Sequence, residues 1–254
     1  MTLVAEPVVT DAPSALRLES VRKSFGDVRA LYGVDLEVPA GGFVCLVGAS
    51  GCGKSTLLNL VAGLDTPSGG RVEAVGRTSL MFQEAALFPW LTVSRNVELA
   101  LQLRGVSRKE RRPRAEELLH AVRLHDFADR RPHELSGGMR QRVALARAFA
   151  QEADVLLMDE PFGALDAMTR DLLHHELEQL WTERGFTVLF VTHNVREAVR
   201  LGDRVVVLTS RPGRVAEVFD VAIERPRRIE SPEVSALAGT ITERLREEVR
   251  RHAR

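Results

Sequence analysis

Glycine, lysine and hydroxyl residues are concentrated in Gly48-Ala49-Ser50-Gly51-Cys52-Gly53-Lys54-Ser55, between apolar Phe43 to Val47 and a helix-patterned stretch, Thr56 to Ala62. Phosphate carries dense charge, so a seat for it needs many close donors. Glycines at 48, 51 and 53 let backbone N–H groups turn inward with no side chain in the way. The following helix adds the positive end of its dipole. Lys54 is expected to reach the β and γ phosphates of a nucleoside triphosphate, and the Ser55 hydroxyl to ligate the accompanying Mg²⁺.

Three more short apolar runs also end in groups capable of chemistry: Ser79 to Phe82 at Gln83, Val155 to Met158 at Asp159 and Glu160, and Thr187 to Val191 at Thr192 and His193. A fifth run, Val205 to Leu208, ends at Thr209. Runs apolar on both faces suit a parallel sheet covered by helices, and such sheets bind ligands beyond the carboxyl ends of their strands. Convergence of these ends is therefore expected. Asp159 is placed to hold Mg²⁺ directly or through water. Glu160, free of the metal, is placed to polarise an attacking water. His193 is read as a partner of the γ-phosphate or of Glu160, and Gln83 as an amide for Mg²⁺ or the water.

Leu135-Ser136-Gly137-Gly138-Met139 precedes a second helical pattern, Val143 to Ala150, which makes another anion-binding helix start, this one without a lysine. Taken together, the chain resembles the ATP-binding subunit of an ATP-binding cassette (ABC) transporter. The phosphate loop, Gln83, the signature at 135–139, the acids at 159 and 160, Ala164-Leu165-Asp166 and His193 fall in that family's order, over residues 16–215. The resemblance implies an α/β P-loop cassette: a mostly parallel core sheet, an antiparallel β subdomain and an inserted α-helical subdomain, about 88–150, bearing the signature. It also implies a nucleotide-binding set of Phe25, Gly48, Ser50, Gly51, Cys52, Gly53, Lys54, Ser55, Thr56, Ser136, Gly137, Gly138 and Asp166. In this set Phe25 stacks on adenine and Asp166 links two sites across a head-to-tail dimer. Met139 departs from the glutamine of many cassettes.

The stretch Leu87 to Thr92, with Met139 and the segment Asp159 to Arg170, resembles the importer branch serving nitrate, sulfonate and taurine. Implied partners are a second copy of the chain, two integral-membrane permease subunits and, indirectly, an extracytoplasmic solute-binding protein; nucleic acid is not among them. Trp90 and its neighbours are candidates for docking the permease. The implied location is the cytoplasmic side of the membrane, as a peripheral subunit. An exporter or cell-division cassette, or a cassette ATPase acting on nucleic acid, are the alternatives.

The whole chain of 254 residues is long enough for one sizeable α/β domain. Its 35 basic and 35 acidic residues balance, so no global charge draws it to nucleic acid or an anionic membrane. Two cysteines, Cys45 in an apolar run and Cys52 in the loop, make no disulfide framework. No apolar run approaches the ~18 residues of a membrane helix. Expected divisions are a flexible lead-in over 1–14, the cassette over 15–230 and a C-terminal helical tail over 231–254. Pro113, inside the basic run Arg108 to Arg114, is expected to start or bend its helix.

Overall fold

The structure is a computed structural model that describes residues 13–163 and 165–252. The lead-in placed over 1–14 falls almost wholly outside those residues, as does Ala164. Two sheets organise the chain. Strands β1 (Ser14–Phe25), β2 (Val28–Pro39) and β4 (Gly69–Ala74) form an antiparallel sheet in the order β2-β1-β4. The second sheet contains β3 (Phe43–Val47), β5 (Thr78–Met81), β6 (Val155–Asp159), β7 (Thr187–Val191), β8 (Arg204–Leu208) and β9 (Val215–Asp220). Its order is β5-β6-β7-β3-β8-β9, parallel throughout except for β9, which returns antiparallel to β8.

Every residue of β3, β6 and β7 is buried, and strand geometry assigns alternate side chains to different cores. Phe43, Cys45, Leu156, Met158, Val188 and Phe190 enter one core, shared with most of the helices. Val44, Leu46, Val155, Leu157, Leu189 and Val191 enter the other, against the antiparallel sheet and helix α1 (Lys54–Val61). A sheet sandwiched this way has no wet face, and for that reason these strands read as unbroken apolar runs.

Helices α2 (Val93–Leu103), α3 (Arg108–Ala121) and α4 (Gly137–Ala150) pack on one another. Thr92 caps α2 by accepting from the Arg95 N–H at 3.2 Å. Asn96, fully buried, bonds the backbone of Phe88, Leu91 and Thr92 and so fixes the loop before the helix. Of the two readings of Pro113, the structure excludes a helix start there: α3 begins at Arg108, with Pro113 inside it. Ser107 already closes the first turn, its carbonyl accepting from Glu110 and Arg111 and its hydroxyl donating to Glu110 at 2.8 Å. Pro113 is exposed, so the carbonyl freed by its missing N–H is within reach of water.

Helices α5 (Ala167–Arg184), α6 (Val195–Leu201) and α7 (Pro232–His252) complete the fold. The last lies against α6 and β8, burying Val234, Ala238 and Ile241. Arg244 ties it to Glu217 of β9 at 2.7 Å. Among the described residues no helix is long and apolar enough to cross a membrane.

Candidate functional site

The sheet order places the ends of β5, β6, β7 and β3 side by side, and the groups beyond them meet at one cavity. Its volume is about 490 Å³, and its lining includes Phe25, Gly48, Ser50, Gly51, Gly53, Lys54, Ser55, Thr56, Gln83, Glu160 and His193. A larger cavity of about 710 Å³ lies elsewhere, between the segments near Pro13, Gly41, Phe149 and Arg184. It holds none of the phosphate-loop groups, so the chemistry and not the size identifies the site.

Helix α1 begins within the loop, at Lys54, ahead of the stretch expected from sequence. Gly53 caps it in the left-handed region (φ 99°), with no side chain taking the first-turn N–H groups. A Cβ at Gly53 would fall 2.6 Å from Leu31, and one at Gly48 would fall 2.7 Å from the Cys52 sulfur. A larger residue at either position would force its neighbours to shift. Cys52 itself is buried inside the loop and does not line the cavity; burial pushes its thiol up. The Lys54 ammonium donates to the carbonyls of Gly48 at 2.9 Å and Ala49 at 3.1 Å. These are weak neutral partners for a cation that phosphate oxygens would hold better.

Asp159 ends β6 beneath the cavity and is 8% exposed. Burial holds its carboxyl above the ordinary aspartate range, with a hydrogen bond from Ser55 opposing the shift. A carboxylate desolvated beside a hydroxyl fits a hard cation, which would restore the charged form. Among the described residues no three His, Cys, Asp or Glu side chains converge on a metal position. The fit is to an ion that keeps most of its waters, as Mg²⁺ does.

Glu160 follows at φ 45°, a conformation that costs a non-glycine residue about 1–3 kcal/mol. Its N–H is held by the Val191 carbonyl at 2.9 Å, and its carboxylate meets His193 Nδ1 at 3.0 Å. Just beyond the buried strand, its side chain lines the cavity. Beneath His193, a network unread in the sequence fixes the loop: Thr192 donates to buried Glu197, whose other oxygen lies 2.8 Å from His174 Nε2. Asn194 donates its N–H to Thr192 Oγ1 and caps α6.

Phe25 is 53% exposed on the cavity wall, with the Lys23 ammonium 4.9 Å from its ring centre. It is a surface aromatic and not part of either core. Four of the expected residues, Ser136, Gly137, Gly138 and Asp166, stand elsewhere. Ser136 caps α4, accepting from Met139 N–H at 3.2 Å, and neither it nor Gly137 nor Gly138 lines the cavity. Asp166 caps α5, where the Thr169 N–H at 2.9 Å and its hydroxyl keep the carboxyl low. Arg211 lines the cavity and was absent from the sequence reading. Its signal was its place just after β8, the fifth run with a polar end.

The ABC transporter family model matches residues 31–163. This chain belongs to the ABC transporter family. The cassette is 47% identical over 257 residues to the aliphatic sulfonates import ATP-binding protein SsuB 1 of Mesorhizobium japonicum, covering 96% of each chain. It is 48% identical over 239 residues to the aliphatic sulfonates import ATP-binding protein of Rhodopseudomonas palustris, covering 91% of this chain and 83% of that one. Among solved structures, it superposes with a TM-score of 0.75 on the cassette MJ0796, a dimer in a post-hydrolysis state with ADP and phosphate. That match is 35% identical and covers 82% of this chain and all of the other. The expected α/β cassette fold is thereby shown.

Proposed function

We propose that this cassette is the ATP-hydrolysing subunit of an importer that drives a small sulfonate through a separate membrane permease. The protein is an ATP hydrolase of the transport class. The observation that carries the reading is the Glu160–His193 pair at 3.0 Å, opening on the same cavity as the phosphate loop. Its relatives named for aliphatic sulfonate import support the choice of solute.

Lys54 exchanges its loop carbonyls for the β and γ phosphates, while the open N–H groups of Gly51, Gly53 and the first turn of α1 cradle them. Phe25 stacks on the adenine. Ser55 and Asp159 would hold Mg²⁺, with Gln83 beside them; the ion supplies charge neutralisation at the transferring phosphoryl group. Glu160 accepts the proton of the attacking water, a role worth about 10²–10⁴ in rate. His193 keeps that carboxylate aimed and senses the γ-phosphate.

Ser136, Gly137 and Gly138 complete the site from a second, head-to-tail copy, with Asp166 joining the two sites. The dimer carries two permease subunits, served by an extracytoplasmic binding protein, and works at the cytoplasmic side of the membrane. In the permease contact, Trp90 is 68% exposed beside Phe88, on the loop that Asn96 stiffens. Exposed aromatics on a rigid loop suit docking. Residues 15–230 form the cassette, with its helical subdomain over about 88–150, and 231–254 the tail.

The test is co-expression with a membrane permease of a sulfonate importer. Co-purification and sulfonate-stimulated ATPase activity in vesicles are expected. Gel-shift binding to nucleic acid with no permease recovered would overturn the reading.

A further inference from the structure

The turn joining β8 to β9 is built against the phosphate loop. Thr209 staples it: its hydroxyl donates to the Pro212 carbonyl at 2.9 Å and accepts from the Arg214 N–H at 3.0 Å. Gly213 donates to the Ala30 carbonyl at 2.8 Å and accepts from the Tyr32 N–H at 3.0 Å. The approach to the loop is so close that a Cβ at Gly213 would stand 2.1 Å from the Cys52 carbonyl oxygen. This backbone anchoring puts Arg211 on the lip of the cavity.

There, Arg211 Nε donates to the Gly51 carbonyl at 3.2 Å, and the guanidinium lies so near that a Cβ at Gly51 would meet Nη2 at 3.2 Å. The side chain is exposed and lines the cavity. Among the described residues no carboxylate comes within ion-pair range of it. A guanidinium bonded through Nε alone keeps its outer edge free, the edge that grips phosphate oxygens in planar, charge-assisted pairs. Lining the same cavity as Lys54, it adds to the positive charge offered there to an anion.

We propose that Arg211 is a further nucleotide-binding residue whose free guanidinium edge binds a phosphate oxygen from the lip of the cavity that buried Lys54 also lines. The inference rests on the phosphate loop being the nucleotide seat. Lys54 anchors from inside the helix start. Arg211 stands at the entrance on a turn packed directly against the loop, at Gly213 and Cys52.

Calorimetric titration of the purified full chain with ADP tests this without hydrolysis. Arg211→Met should weaken ADP binding about tenfold, equal to about 1.4 kcal/mol. Its affinity should also fall less steeply with added salt than that of the unaltered protein. Arg211→Lys, which keeps the charge and loses the planar edge, should fall between the two. Affinity within twofold in Arg211→Met would overturn the proposal. So would equal losses in both variants with an unchanged salt dependence, since that pattern belongs to a mere prop for Gly51. Lys54→Ala is the control: normal ADP affinity there would overturn the loop as the seat, whereas loss there with none in Arg211→Met overturns only the role of Arg211.

Discussion

The starts of α1 and α4 use one device, a glycine-bearing helix N-terminus, and reach different ends. At α1, Gly53 leaves the first-turn N–H groups unclaimed, while Lys54, Glu160, His193 and Arg211 stand around the opening and Asp159 lies below. At α4, Ser136 spends its oxygen on the Met139 N–H, and the first turn carries no acid. Gly137 is open, its nearest neighbour for an added Cβ being Arg140 at 3.9 Å. One terminus gathers a cation, a carboxylate and a histidine around a single opening within one chain. The other offers donors but no base, and its function depends on what is brought to it.

Four substitutions would break or sharpen that contrast. Glu160→Gln should bind ATP normally and lose about 10²–10⁴ in turnover. Steady-state phosphate release decides it; strong residual hydrolysis would remove Glu160 as the base. Lys54→Ala should weaken ATP binding by more than the tenfold set for Arg211, since it removes the one buried cation of the loop. Equilibrium dialysis reads this directly. Ser136→Arg should leave nucleotide affinity within about twofold of the parent and abolish ATP-driven dimers in a sizing experiment. Dimers forming as usual would show that α4 is not half of a shared site.

The smallest effect is expected at Asp159. Its folded carboxyl titrates above the unfolded value, so ionising it costs stability as pH rises through that raised range, and nothing is lost below the unfolded pKa. Asp159→Asn should therefore melt higher than the parent at neutral pH without nucleotide. The gain should vanish in strong acid and be reversed when Mg²⁺ and nucleotide are added. A lower melting point at neutral pH would contradict the burial argument.

Legibility followed from how local each cause is. Strands β3, β6 and β7 were visible because burial on both faces leaves runs that are apolar but for Asp159 and Thr187 at their ends. The start of α3 lies ahead of Pro113 because Ser107 closes the first turn, a local contact that the proline does not signal. The Thr192–Glu197–His174 network escaped notice because a histidine at 174 and a glutamate at 197 look like ordinary helix polar residues until α5 and α6 bring them to 2.8 Å. Arg211 was hidden for the same reason: its partner Gly51 is remote in sequence.

The amino-acid sequence by itself determined the phosphate loop, since three glycines, a lysine and a serine suffice to shape a donor-lined turn at a helix start. It also determined that several strands end in polar groups. Only the tertiary structure decided that these ends share one cavity, that Asp159 is desolvated, and that Arg211 overlies the loop while Ser136 does not. Those outcomes depend on the strand order β5-β6-β7-β3-β8-β9, and strand order is set by the packing of distant segments across two cores, which no local pattern of residues encodes.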